Sequence, residues 1–451
     1  MVIVGNFLLG MGVTLLALVV IGYVAFKLLR RGPLTFEIDG FYTHVVDGDV
    51  GPFIRDVQAD VPHAQECKLD DRMSCSIRDA VQNHNRTGQP DCNVLLLSGG
   101  GQWGAYGAGL FDTLARKSGN DLALSGIRVI TGISTGALQA LMLMVALDPQ
   151  QNPDMRRFAL DRLVWGYSPA RQSDVVKHTG LLGVPLFGSA AGTAPLRARI
   201  IEALMPNGDD RLVRAIGASS IEGFVGFVEA ERGSFRYADI KQIVNTARDM
   251  AAAAEALAAA TMASSAMPVF HQQLRVAGSD GRPLTLYDGG VRKSVFFDRA
   301  MAAVDREVRR QVQGHTVAKV ANGGARQVYA QSYEQAAPTV YVVRNGPTVR
   351  KTDKALNTKS GPLENGQRGY DLLVNESEIG AIAGLRLNNP YGRILLTSAD
   401  RYDTFPSTVG ENFKKDEMFK PAFMARLRDL GRHKAERAEG PWWPLSKIDQ
   451  A

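Results

Sequence analysis

A chain of 451 residues can bury a large core, either as one domain with additions or as two domains. Its net charge of +6 is mild and spread out, which excludes a charge-driven nucleic-acid binder but suits a protein lying against an anionic membrane. Three cysteines (Cys67, Cys75 and Cys92) are too few for a disulfide framework, and a Cys67–Cys75 bridge would fit only an exported domain.

Val2 to Phe26 carries no charged side chain, and its length exceeds the roughly 20 residues that cross a bilayer. A cleaved signal peptide would want a basic start and small residues at a cleavage site. Here no Lys or Arg precedes the apolar run, while Lys27, Arg30 and Arg31 follow at once. The expectation is a retained single-pass transmembrane anchor over residues 1–31, with its basic flank and the folded part on the cytoplasmic side. Residues 32–92 read as a mixed polar extension, with a short helix near Met73–Asn83 and a loop over His84–Asp91.

The next stretch holds two strand-turn-helix units. Val94–Leu97 runs into Ser98, Gly99, Gly100 and Gly101 and then into a helix of small residues. Ile127–Ile130 runs into Gly132-Ile133-Ser134-Thr135-Gly136, and Ala137–Leu147 is uninterrupted helix former. Both turns lie before a helix N-terminus, where backbone N–H groups point outward without partners. Further on, Pro195–Leu204 is an amphipathic helix, Gly223–Glu229 and Gly233–Tyr237 read as a hairpin, and Thr246–Met262 is an Ala-rich helix stopped by Pro268. Leu284–Tyr287 is a strand delivering Asp288, Gly289 and Gly290. Arg299–Val312 reads as a helix, Thr339–Arg344 as a buried strand and Arg350–Tyr370 as irregular. Helical segments near Glu376–Leu387 and Lys420–Arg437 close the chain. Strands alternating with helices predict a mainly parallel sheet covered on both faces.

Gly-x-Ser-x-Gly between strand and helix is the pattern of a nucleophile elbow, a sharp turn that pushes the serine Oγ out at a strand end. Gly132 and Gly136 let the two backbones approach, and the helix behind Ser134 favours developing negative charge. Gly99 to Gly104 formally matches the dinucleotide fingerprint Gly-x-Gly-x-x-Gly. That reading lacks an acidic residue at the end of the next strand, since Asp121 lies in the loop before it. The other reading is a row of amides that stabilises a tetrahedral oxyanion. A serine nucleophile needs a base, yet His178, His271, His315 and His433 lie in no recognisable strand-end motif. Asp288 sits at a strand end with two glycines behind it; an ordinary Asp-Gly turn would look the same. No His/Cys cluster has metal-ligand spacing, and no cofactor is expected.

Taken in order, Gly-Gly-Gly-x-x-Gly, Gly-x-Ser-x-Gly and Asp-Gly-Gly resemble the patatin-like phospholipase family, as does Ala263-Ser264-Ser265-Ala266-x-Pro268. The resemblance covers roughly Asn93 to Phe297 and implies a three-layer α/β/α domain that uses a Ser–Asp dyad without histidine. It implies Ser134 as nucleophile and Asp288 as base, with amides of Gly99, Gly100 and Gly101, together with Thr135, as the oxyanion hole. Gly104, Gly132, Gly136, Gly289 and Gly290 are the motif glycines. Two positions depart from the family's pattern. Trp103 stands where a basic residue is usual, and Val291-Arg292-Lys293-Ser294 stands where an Asn and a Pro often follow, so both bear on substrate preference.

An Asp of ordinary pKa, near ~3.9, is a weak base, so the dyad predicts that Asp288 is buried. The expectation is therefore a membrane-anchored serine hydrolase of lipid esters, of phospholipase A or lysophospholipase type. Its catalytic domain spans 93–300, and additions over 301–451 complete or cover it. The competing readings are a catalytically silent lipid-binding homologue and a histidine-dependent hydrolase using His315 or His433. The stripe Phe419, Phe423, Leu427 and Leu430 predicts a last helix packed on the core; a membrane-surface helix aided by Trp442 and Trp443 is the alternative.

Overall fold

The computed structural model describes residues 13–25, 34–36, 43–45, 72–88, 92–117, 124–178, 191–268, 270–271, 273–277, 283–297, 304–310, 312, 332–348, 362–405 and 419–445. The main sheet contains β1 (Leu34–Phe36), β2 (Thr43–Val45), β3 (Asn93–Leu97), β4 (Ile127–Ile133), β5 (Glu222–Glu229), β6 (Ser234–Asp239), β7 (Leu274–Ala277), β8 (Pro283–Asp288), β9 (Val340–Arg344), β10 (Ile394–Ser398) and β11 (Trp443–Pro444). Their spatial order is β1-β7-β8-β5-β4-β3-β9-β10-β11, with β6 pairing β5 and β2 off that path. The central run β5-β4-β3-β9-β10 is parallel throughout, and the antiparallel pairings lie toward its flanks.

The central strands are near-continuous apolar runs because both of their faces are covered. In β3, Leu95 and Leu97 join one core cluster while Val94 and Leu96 join the other, and in β5 Val225 and Phe227 alternate with Phe224 and Val228 in the same way. The first cluster holds α2 (Gly104–Lys117), α3 (Thr135–Ala146), α4 (Pro153–Gly166), α5 (Ala194–Leu204), α6 (Met250–Ser264) and α8 (Pro421–Glu436). The opposite cluster receives α1 (Arg72–Thr87) through Met73 and Ile77, and α7 (Pro362–Asn388) through Ile382 and Leu385. The result is the expected three-layer α/β/α arrangement with a mainly parallel centre.

Several expectations change. Within the apolar N-terminal run, the described residues 13–25 are helical. Among the described residues no helix is long and apolar enough to cross a membrane, so the expected transmembrane helix is not borne out; the rest of Val2–Phe26 lies outside those residues. Leu15, Leu16, Val19 and Ile21 on this helix are exposed. α1 runs on through His84 to Thr87, where a loop is expected, and α7 starts at Pro362, inside a stretch expected to be irregular. α8 packs on the core: Phe423, Leu427 and Leu430 are buried, and the Trp442 ring meets Tyr341 edge-on at 5.1 Å. The membrane-surface reading of α8 is thereby corrected, because its apolar face is already occupied by α2. Cys75 is disulfide-bonded and Cys92 is buried; Cys67 lies outside the described residues.

Candidate active site

Pairing around β5 explains how residues far apart in sequence meet. β6 pairs along β5 from Phe224 to Glu229, β4 pairs from Glu222 to Gly226, and β8 pairs from Phe227 to Glu229. A strand has two edges, so β4 and β8 share the edge opposite β6. Ile133 faces Gly226 and Asp288 faces Phe227, so the carboxyl ends of β4 and β8 meet at consecutive positions on one strand. Ser134 is the residue that follows Ile133.

Ser134 has φ 53 and ψ −119, a left-handed backbone that is costly for a side chain other than glycine. It caps α3, all of whose residues are buried. The turn closes because Gly136 sits against the carbonyl of Leu97 and Gly132 against that of Gly136; a Cβ at either would collide with main chain. Ser264, at the end of α6, anchors it further. Its Oγ accepts from the Ser134 N–H at 2.7 Å and donates to the Gly226 carbonyl at 2.5 Å.

Asp288 is buried, and its carboxyl feels the Ser134 side chain. The Gly290 N–H donates to Asp288 Oδ1 at 2.7 Å, and Gly289 lies against the Gly226 carbonyl. The Asp288 N–H donates to Ala266 at 3.0 Å, which ties it to the turn after α6. Burial pushes the Asp288 carboxyl up to about 6, while the bond from Gly290 and the nearby Ser134 side chain pull the other way. Such a group is ionised at neutral pH yet far more basic than an exposed carboxylate, as proton abstraction requires.

Gly99 lies beside Ser134, and Gly100 and Gly101 take positive φ (145 and 56) on entry to the short turn Gly101–Trp103. Among the described residues, the N–H groups of Gly99, Gly100 and Gly101 donate to no hydrogen bond. They are therefore available to an anionic oxygen near Ser134. Thr135 starts α3; its side chain is taken up by Tyr167, with Thr135 Oγ1 donating to the Tyr167 hydroxyl at 2.8 Å, which leaves its main chain as the contribution. Gly104 is required where Thr135 and Tyr167 crowd its Cα.

Ser134, Gly101 and Thr135 border an open pocket of about 740 Å³, counting its mouth. Its other walls are mostly apolar, including Leu138, Leu196, Ile200, Phe419 and Met424. Phe419 is strained at φ 56, so two of the four non-glycine residues with positive φ among the described residues face this pocket. Trp103 does not line it. It is buried edge-on against Tyr402 and Phe423, at 4.6 and 5.2 Å, and Gln102 borders the pocket instead.

Among the described residues no histidine is hydrogen-bonded to Ser134. His271 lines the pocket, but its Nδ1 donates to the Ser265 carbonyl at 2.7 Å and burial lowers its pKa, so the ring is neutral. His433 packs against Phe405, and His315 lies outside the described residues. Among the described residues no group of acids, His and Cys could hold a metal.

Sequence reasoning gave no role to Gln139 and Asn345. Asn345 donates through Nδ2 to the Ser98 carbonyl at 2.8 Å and to Gln139 Oε1 at 2.9 Å. An Asn directly after the apolar strand TVYVVR was the available signal, since a polar amide at the end of a buried strand must find partners.

Fold and site together define an α/β protein with a serine elbow beside a buried carboxylate. Residues 95–301 match the patatin-like phospholipase family. Among solved structures the chain is similar to VipD from Legionella pneumophila, at 9% identity over 79% of this chain and 68% of that one. The TM-score is 0.27, too low to carry an argument. No curated protein matches the chain.

Proposed function

We propose that the protein is a serine hydrolase of lipid carboxylic esters that works through a Ser134–Asp288 dyad and an acyl-enzyme. The observation that carries this reading is that Ser134, held on a strained elbow, follows a strand end that meets the buried, basic Asp288 carboxylate at consecutive positions of β5. Asp288 takes the serine proton as Oγ attacks the ester carbonyl. The carbonyl oxygen becomes an oxyanion held by amides of Gly99, Gly100 and Gly101 and the start of α3. Collapse releases the alcohol with the proton, and water activated by Asp288 then frees the acid. The apolar pocket walls support an acyl chain as the bound group. Phospholipase A or lysophospholipase type is the finer form of this proposal, on the strength of the family.

The test is labelling of the full chain by a serine-reactive phosphonate, with turnover of a phospholipid and a lysophospholipid. Labelling and turnover are expected in the wild type and lost in Ser134→Ala. Turnover that survives Ser134→Ala overturns the reading.

The membrane is the proposed partner. The exposed apolar helix over residues 13–25 supports attachment to lipid, and the basic Lys27, Arg30 and Arg31 favour a cytoplasmic domain. The disulfide at Cys75 opposes that side, because disulfides persist in oxidising compartments. Protease added to intact cells should spare the domain and cut it only after permeabilisation; digestion in intact cells would reverse the orientation.

A further inference from the structure

We propose that Asn345 is a positioning residue for the oxyanion-binding turn, so that the working catalytic unit extends beyond residue 301, where the family match ends. The inference rests on the functional reading above and adds a residue that no motif marks.

Asn345 follows β9, which lies parallel to β3 in the sheet. It holds the glycine turn at three places. At the start, its N–H donates to Ser98 Oγ at 2.9 Å and its Nδ2 donates to the Ser98 carbonyl at 2.8 Å. In the middle, its carbonyl packs so closely on Gly100 that a Cβ there would collide with it. At the end, it acts through Gln139: Nδ2 donates to Gln139 Oε1 at 2.9 Å, and Gln139 Nε2 donates back to Asn345 Oδ1 at 3.1 Å and to the Gly104 carbonyl at 2.8 Å. Both hydrogens of each amide are used, and Ser98, Gln139 and Asn345 are fully buried.

Gln139 lies on α3, the helix that carries Ser134 at its N-terminus. The amide pair therefore ties three things together: the elbow helix, both ends of the glycine turn, and a strand from the C-terminal region. It fixes the separation between the attacking oxygen and the N–H groups that would receive the negative charge. Oxyanion donors work only when held close to where the charge develops, and a shift of about 1 Å can cost ~100-fold in rate. An apolar pair would fill this space without fixing any direction. Two mutually satisfied amides fix the turn in position and in rotation.

The test measures kcat and KM on p-nitrophenyl butyrate, together with the rate of phosphonate inactivation, in the full-length chain. Asn345→Ala is expected to lower kcat and the inactivation rate in parallel by about 10- to 100-fold, with KM within about 3-fold. Thr397→Val, on the neighbouring strand β10, which removes the 2.5 Å bond to Tyr106 of α2, serves as the purely structural control and should leave kcat unchanged. A folded Asn345→Ala with kcat and inactivation rate within about 2-fold of wild type overturns the proposal. If Asn345→Ala does not fold, Gln139→Met is read by the same criteria and decides. A wild type that neither turns over ester nor reacts with phosphonate removes the functional reading itself. An active wild type with an unaffected Asn345→Ala removes only the present inference.

Discussion

The family-matched region and the C-terminal region contribute to the pocket in different ways. Residues 95–301 supply the proposed nucleophile, base and oxyanion amides, and each sits in a short pattern of glycines at a strand end. Among the described residues, the C-terminal region supplies no candidate nucleophile or base to the pocket. It supplies Phe419 and Met424 as wall, and Asn345 beneath the glycine turn. Reacting groups need special backbone, which leaves a local trace in sequence. Walls and braces need only shape and one matching partner, which leave almost none.

The comparison breaks most decisively at its chemical side. Ser134→Ala should reduce kcat by roughly 10⁴-fold or more, and Asp288→Asn by a comparable amount, measured on one soluble ester. Because the Asp288 carboxyl titrates at about 6, kcat/KM should rise with pH through that value and level off above it. The same group has an opposite effect on stability. Its folded pKa lies above the unfolded value, so the folded state holds the proton more tightly, and stability falls as pH rises from about 4 to about 6. Asp288→Asn should therefore be more stable than wild type at pH 8, by up to about 3 kcal/mol, and lose that advantage near pH 4. Denaturant melts at both values check it.

On the C-terminal side the effects should be smaller and of a different kind. Phe419→Ala should shift the ratio of kcat/KM between long and short acyl esters toward the longer by about 10-fold, because it enlarges the pocket. A uniform loss across chain lengths would show that Phe419 is not part of the acyl wall. Trp103→Ala should cost about 3–5 kcal/mol of stability in a denaturant melt without moving that ratio. His433→Ala should change turnover by less than about 2-fold; a large loss would revive a histidine-dependent mechanism.

Trp103 is instructive, because in sequence it looks like a substrate determinant by standing where the family has a basic residue. The fold turns it away from the pocket into Tyr402 and Phe423, residues of the C-terminal region, and no local pattern could reveal that. Only the C-terminal part of α7 is legible in sequence, because Gly366, Gly369 and Gly380 and its polar residues blur the helical period. The strand Ile394–Ser398 is not legible in sequence, because a run as short as ILLTS is ambiguous without its neighbours.

By itself the sequence determined the elbow, the glycine turn and the Asp-Gly-Gly strand end. Their backbone demands are met by glycines and strand-helix boundaries within a few residues. Only the tertiary structure decided that the first two turns are completed by the third. β4 and β8 reach consecutive positions on one edge of β5, a pairing set by burial of the whole sheet and not by any residue near Ser134. It likewise decided that Asp288 is basic, since desolvation depends on everything packed around a carboxylate. The brace on the glycine turn is decided in the same way, since a hydrogen-bonded amide pair exists only once both halves have arrived.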